Sequence, residues 1–163
     1  MTPRECPCFS GARYVACCKP YHVGDRSPET PEALMRSRFS AFALGLGTYL
    51  VDTLSAEHPE RAHDPVMLAR ELSSMKARQR FLALRVLHTA LLSSDAGEVL
   101  FHARVFERGV DRSFAELSLF HREEGCWRYL SGVLVPGSRI ADPSSLTRDQ
   151  LLLLASPPGC LSP

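Results

Sequence analysis

No stretch of this 163-residue sequence is long and apolar enough to cross a bilayer: its longest candidate, Leu151 to Ala155, falls far short of the roughly 20 residues a span needs. Neither sign of charge is in excess, with 19 Lys and Arg against 18 Asp and Glu and a formal net charge of +1. Attraction to nucleic acid or to an anionic surface would have to come from a local patch, and no specific nucleic-acid motif is present. The start, Met1-Thr2-Pro3-Arg4-Glu5-Cys6, lacks the apolar core and small-residue cleavage site of a secretory signal, so a cytoplasmic location is expected. The spacings of a nucleophile elbow, a phosphate loop and a dinucleotide fingerprint are also missing, and an enzymatic activity is not indicated.

What remains is the composition of a globular protein, 45% hydrophobic and 23% charged, and a length that suits one ordinary domain with a short appended element. There is no internal repeat. Composition divides the chain into a Cys-rich head at 1–24, an α+β domain at 28–135 and a Pro- and Ser-rich tail at 136–163.

Between head and domain, Gly24 to Pro31 is polar and carries Pro28 and Pro31. Thr30 can cap a helix whose first position is Pro31, with Glu32 favoured by the helix dipole. Met35, Phe39, Phe42, Leu46 and Tyr49 then recur at i, i+4, i+7, i+11 and i+14, one apolar face of a single helix. Asp64-Pro65 repeats the capping logic for a helix with Leu68, Leu72 and Met75 on one face, ending in the basic run Lys76 to Arg80.

Strand-rich segments follow at Phe81 to Leu92, Glu98 to Glu107, Ser113 to Arg122 and Cys126 to Leu134, joined by short polar turns. Connections so short imply an antiparallel meander with helices on one face. In the second strand Val99, Phe101, Ala103 and Val105 share one face, while Leu100, His102, Arg104 and Phe106 share the other. Both faces are partly apolar, so the second must meet either the sheet's own curvature or a partner subunit, as in a homodimer. In the tail, Thr147-Arg148-Asp149-Gln150 reads as a capping box leading into one short surface helix from Leu151 to Leu154.

Four of the six cysteines, Cys6, Cys8, Cys17 and Cys18, fall within thirteen residues in a C-x-C-x8-C-C pattern. In a reducing compartment such density points to a metal rather than to disulfides. Two close pairs separated by a turn at Ser10-Gly11 supply the tetrahedral thiolate shell of a structural Zn2+, which would provide the folding free energy a segment this short lacks. His22 is a second candidate for one of the four places. Cys126, in a strand, and Cys160, near the end, read as ordinary thiols.

The head resembles the SEC-C motif, the zinc-binding tail of the SecA preprotein translocase, which often reads CPCGSG…Y…C followed by His or Cys. Phe9 stands where that motif usually has Gly. Tyr21 to Gly24, Leu34 to Phe42, Tyr49-Leu50, Thr53, Phe120 to Tyr129 and Gly132 resemble the YchJ-like family of bacterial proteins. The resemblance covers about residues 5–135 and implies a SEC-C knuckle followed by a nuclear-transport-factor-2-like cone, helices packed on a curved antiparallel sheet. Leu119 stands where an Arg is common in the family, and the second cysteine knuckle that ends some members is absent.

Polar residues placed to line such a cone are His102, Arg104, Glu116, Ser118 and His121 from the strands, with Arg36, Arg38, Ser40 and Tyr49 from the first helix. For Arg36 and Arg38 the plainer expectation is a surface charge or a buried pair with Glu116. Two functions follow. In the first, the basic knuckle presents Arg13, Tyr14 and Lys19 to an acidic protein or ribosomal partner. In the second, the cone binds a small molecule or performs catalysis, and the knuckle stabilises it.

Overall fold

Thr30 accepts a hydrogen bond from Ala33 N at 3.1 Å, and Pro31 opens the helix behind that cap. The computed structural model, which describes residues 3–156, contains five α-helices: α1 Lys19–His22, α2 Pro31–Leu44, α3 Gly47–Asp52, α4 Pro65–Arg78 and α5 Arg148–Ala155. Its strands are β1 Gln79–Leu91, β2 Ala96–Glu107, β3 Val110–Asp111, β4 Phe114–Glu123 and β5 Cys126–Pro136. Among the described residues no helix is long and apolar enough to cross a membrane. Cys160 lies outside them.

The sheet is antiparallel throughout, in the order β1-β2-β4-β5, with β3 a short return on β2. The α+β class and the helices-then-meander order are therefore as the sequence indicates, with two revisions. The periodicity from Met35 to Tyr49 belongs to two helices. At Gly45 the backbone turns left-handed, φ 72°, which closes α2 with bonds from its N–H to the carbonyls of Ala41 and Phe42. Lys76, at the end of α4, reaches across to donate to Leu44 O at 3.1 Å, so one member of the basic run caps the end of α2.

The second revision concerns the tail. The inner face of the sheet packs Val99, Phe101, Ala103, Val105, Phe120 and Trp127 against Leu34, Met35 and Phe39 of α2. The outer face buries Leu100, Ala115, Leu117 and Val135 beneath Ile140, Leu146 and Leu151. The tail helix is thus a cover over the sheet's second apolar face rather than a surface ornament. The expected capping box is present, Thr147 and Gln150 each bonding the other's backbone N–H, and Arg148 meets the buried Glu98 at 2.7 Å.

Phe42 departs from the expected buried stripe. Met35 and Phe39 are buried, but Phe42 is only half-buried, its ring stacked 6.4 Å from Phe81 at the edge of a half-open cavity. Truncating Phe39 to Ala is therefore expected to cost about 3–5 kcal/mol, and Phe42→Ala clearly less. Urea denaturation midpoints of the two variants, compared at equal slope, check the order.

Candidate metal centre and cone cavity

The head folds back on itself through an antiparallel bridge between Glu5 and Arg13 and a bond from Cys6 N to Ala12 O at 2.9 Å. Phe9 adopts φ 57°, the left-handed region where the related motif uses glycine. Strain of this kind costs about 1 kcal/mol, and it turns the ring onto Phe39 of α2, edge to face at 6.2 Å. A 3-10 turn, Tyr14–Ala16, then brings Cys17 and Cys18 back over Cys6 and Cys8.

All four Sγ atoms lie within 4.8 Å of one another, with Cys8 and Cys17 at 3.6 Å and Cys17 and Cys18 at 3.9 Å. Tetrahedral zinc with bonds of about 2.3 Å would set its sulfurs about 3.8 Å apart, so the cluster has the size of a metal-binding shell. The same closeness splits the protonation of the four sulfurs. Hydrogen bonds from Cys18 and Cys6 hold the Cys8 thiol far below its usual range. Hydrogen bonds to Cys6 and Cys8, then burial, drive Cys18 far above it, and burial pushes Cys17 up to about 11. Four thiolates so close require a cation to coexist, and this donor set fits one.

His22 does not join the cluster. Its Nε2–H donates to Ser37 O at 2.8 Å and its Nδ1 accepts from the Tyr14 hydroxyl at 2.8 Å, so both ring nitrogens are committed. Burial lowers its pKa and favours this neutral form. Tyr14, expected to face a partner, points inward instead and is buried. The head is fastened to α2 at further points. Arg36 donates to Cys8 O at 3.1 Å and to Glu32 at 2.8 Å, Cys6 Sγ lies 4.0 Å from Ser40 Oγ, and Tyr49 presses its ring on His22 while bonding Ser37.

The opposite side of α2 forms one wall of a cavity of about 940 Å³ between the helices and the inner sheet face. Its polar groups converge on Glu116, whose Oε1 accepts from Tyr129 Oη at 2.8 Å and from Ser118 Oγ at 2.7 Å. Burial, then the adjacent carboxylate, pushes the Tyr129 phenol far up, so it remains a donor. Gly132 leaves the space for this arrangement, since a β-carbon there would lie 2.6 Å from Tyr129 Oη and closer still to Glu116 Oε1.

A family model described as YchJ, middle NTF2-like domain, matches residues 30–132. The chain belongs to the YchJ family. It is 37% identical over 128 residues to the YchJ protein of Shigella dysenteriae, covering 78% of this chain and 81% of that one. The solution structure of a SEC-C motif containing protein from Rhodopseudomonas palustris is similar at 37% identity and a TM-score of 0.67, over 78% of this chain and 95% of that one. The crystal structure of a SEC-C motif containing protein from Psychrobacter arcticus gives 25% identity and a TM-score of 0.67, over 80% and 82% of the two chains.

Within this YchJ cone, the residues named from sequence separate into three groups. Arg38, Glu116 and Ser118 line the cavity. Arg36, Ser40 and Tyr49 face the head instead, and Arg36 pairs with Glu32 rather than with Glu116. His102 and Arg104 share the outer face of β2 with Leu100, and His121 is not among the cavity's lining residues. Tyr129 and His58 were not singled out, although both line the cavity with their rings 5.5 Å apart. Only the alternation of Trp127, Tyr129 and Ser131 on β5 hinted that Tyr129 turns inward. Gly132→Ala is expected to part Glu116 from Tyr129 and cost about 1–3 kcal/mol. Thermal denaturation, with the crystal structure of the variant, measures both effects.

Proposed function

We propose that Cys6, Cys8, Cys17 and Cys18 hold one structural Zn2+, and that the knuckle they form, residues 1–24, clamps one wall of a small-molecule-binding cone, residues 28–135. The observation that carries this reading is the double use of α2. One side of the helix, through Arg36, Ser37 and Ser40, grips the head, while Arg38 and Phe39 border the cavity. A metal with four protein ligands keeps no open position for water or substrate, so it stabilises and does not react. Bound there, it would hold the loop that presses Phe9 against Phe39. The cavity has the volume and largely apolar lining of a ligand site.

A second reading keeps the head as a contact for a protein or ribosomal partner, supported by Val15 and Val23, which are exposed together with Arg13. Tyr14 takes no part in it. Affinity capture with the full chain and with a Val15→Asp, Arg13→Glu variant tests this reading, which requires the variant to lose a partner that the full chain retains.

Purified without chelator, the protein is expected to carry about one zinc per chain. Cys17→Ser should lose most of it, whereas His22→Ala should keep it. Metal analysis by mass spectrometry decides, and a protein free of zinc defeats the clamp. Chelation should change the near-ultraviolet circular dichroism of the aromatic side chains around the head and leave the far-ultraviolet sheet signal in place.

A further inference from the structure

We propose that the cone cavity takes an apolar molecule bearing a carboxylate, which pairs with the free edge of the Arg38 guanidinium. This rests on the cavity reading above and adds the chemical class of the ligand. Arg38 is only 8% exposed, yet it borders the cavity. Its Nη1 donates to Leu50 O at 2.7 Å and to Thr53 Oγ1 at 2.6 Å, and its plane lies 4.8 Å from the centre of the Tyr129 ring. Those contacts orient the fork and use one of its nitrogens. Nε and Nη2 make no hydrogen bond among the described residues but keep some access to solvent, since no fully buried side-chain polar atom there lacks a partner, and no carboxylate lies within ion-pair reach of Arg38.

A buried guanidinium whose nearest carboxylates, Glu116 and Glu60, act only from beyond ion-pair distance is costly, because a carbonyl, a hydroxyl and an aromatic face replace its hydration only in part. Two parallel N–H groups on its free edge match the geometry of a carboxylate. Glu116 does not fill the role: it lies outside ion-pair distance of Arg38, its Oε1 held by Tyr129 and Ser118. Arg112, the other arginine on the lining, faces Glu107 at 3.8 Å, and of the remaining lining carboxylates Glu60 acts on Arg38 from beyond ion-pair distance while Glu71 and Asp111 make no ion pair with it. Arg38 is therefore the lining arginine without an ion-pair partner among the described residues, and the place on the wall where an anion meets a complementary charge. Met35, Phe39, Phe101, Phe114 and Phe120 supply the apolar surroundings that the rest of the molecule would meet. The free Glu116 Oε2 can accept a hydrogen bond from a hydroxyl on the same ligand.

The test is calorimetric titration of the full-length, zinc-loaded protein with three matched probes: 2-naphthoate, 2-naphthol and 2-naphthylmethylamine. The carboxylate is expected to bind at least about tenfold more tightly than the alcohol, as a charge-assisted pair predicts, and the amine most weakly. Arg38→Gln should bring the carboxylate down to the level of the alcohol and leave the alcohol unchanged. Glu116→Gln, which keeps an oxygen for Tyr129 and Ser118, should raise affinity for the carboxylate alone, and it serves if Arg38→Gln does not fold. An alcohol that binds as well as the carboxylate, an amine that binds best, or a Glu116→Gln variant without effect overturns the carboxylate assignment and leaves the cavity reading standing. Failure of all three probes to bind overturns both.

Discussion

Helix α2 is asked to be apolar and polar along adjacent stripes, and the rest of the molecule is arranged around how it manages both. Leu34, Met35 and Phe39 commit it to the inner face of the sheet. Ser37 and Ser40 are fully buried on the side that meets the head, where short hydroxyls leave room for the close approach of the cysteine loop. Polar groups buried this way are tolerable only when satisfied, and no buried side-chain polar atom among the described residues is without a partner. The bonds around Ser37 form a chain: Tyr49 donates to its hydroxyl, the hydroxyl donates to Leu34 O, and His22 donates to its carbonyl. Loss of any one member leaves another stranded, which is why the head and the helix stand or fall as neighbours.

The cone side of the same helix poses an electrostatic problem with a geometric answer. Arg38 sits where α3 ends, so the Leu50 carbonyl of that short helix and the hydroxyl of its C-cap Thr53 receive the Nη1 N–H groups. Burial still lowers its pKa, with Tyr129, Tyr49 and Glu116 opposing that shift from a distance. Glu116 and Arg38 thus share a cavity without touching. Tyr129 stands between them, its hydroxyl on Glu116 and its ring face against Arg38.

The sequence revealed the parts governed by local rules and hid those governed by tertiary ones. Caps at Thr30, Asp64 and Thr147 were readable because a side chain bonds a backbone N–H three residues away. The cysteine spacing was readable because four sulfurs within thirteen residues have few other uses. The break at Gly45 was not, since the apolar spacing runs on across it while the chain turns. His102 and Arg104 were misplaced because strand alternation gives two faces and does not say which one is roofed by helices. The role of the tail was hidden for the same reason: Leu151 is an ordinary leucine until the outer face of the sheet needs a cover.

The clustered cysteines are separated by at most a dozen positions, and the helix they rest on begins soon after them, as the 34-residue separation of Cys6 and Ser40 records. Closure of the cone joins far more distant places: Ser55 bonds Glu123 across 68 positions, and Trp127 donates to Glu29 O across 98. Loop-closure entropy grows with the length of chain enclosed, so these two halves assemble under different kinetic constraints. A growing polypeptide can gather its four cysteines and dock the head on α2 while the sheet is still unmade. The first wall of the cone is then finished before the strands that complete it have been synthesised.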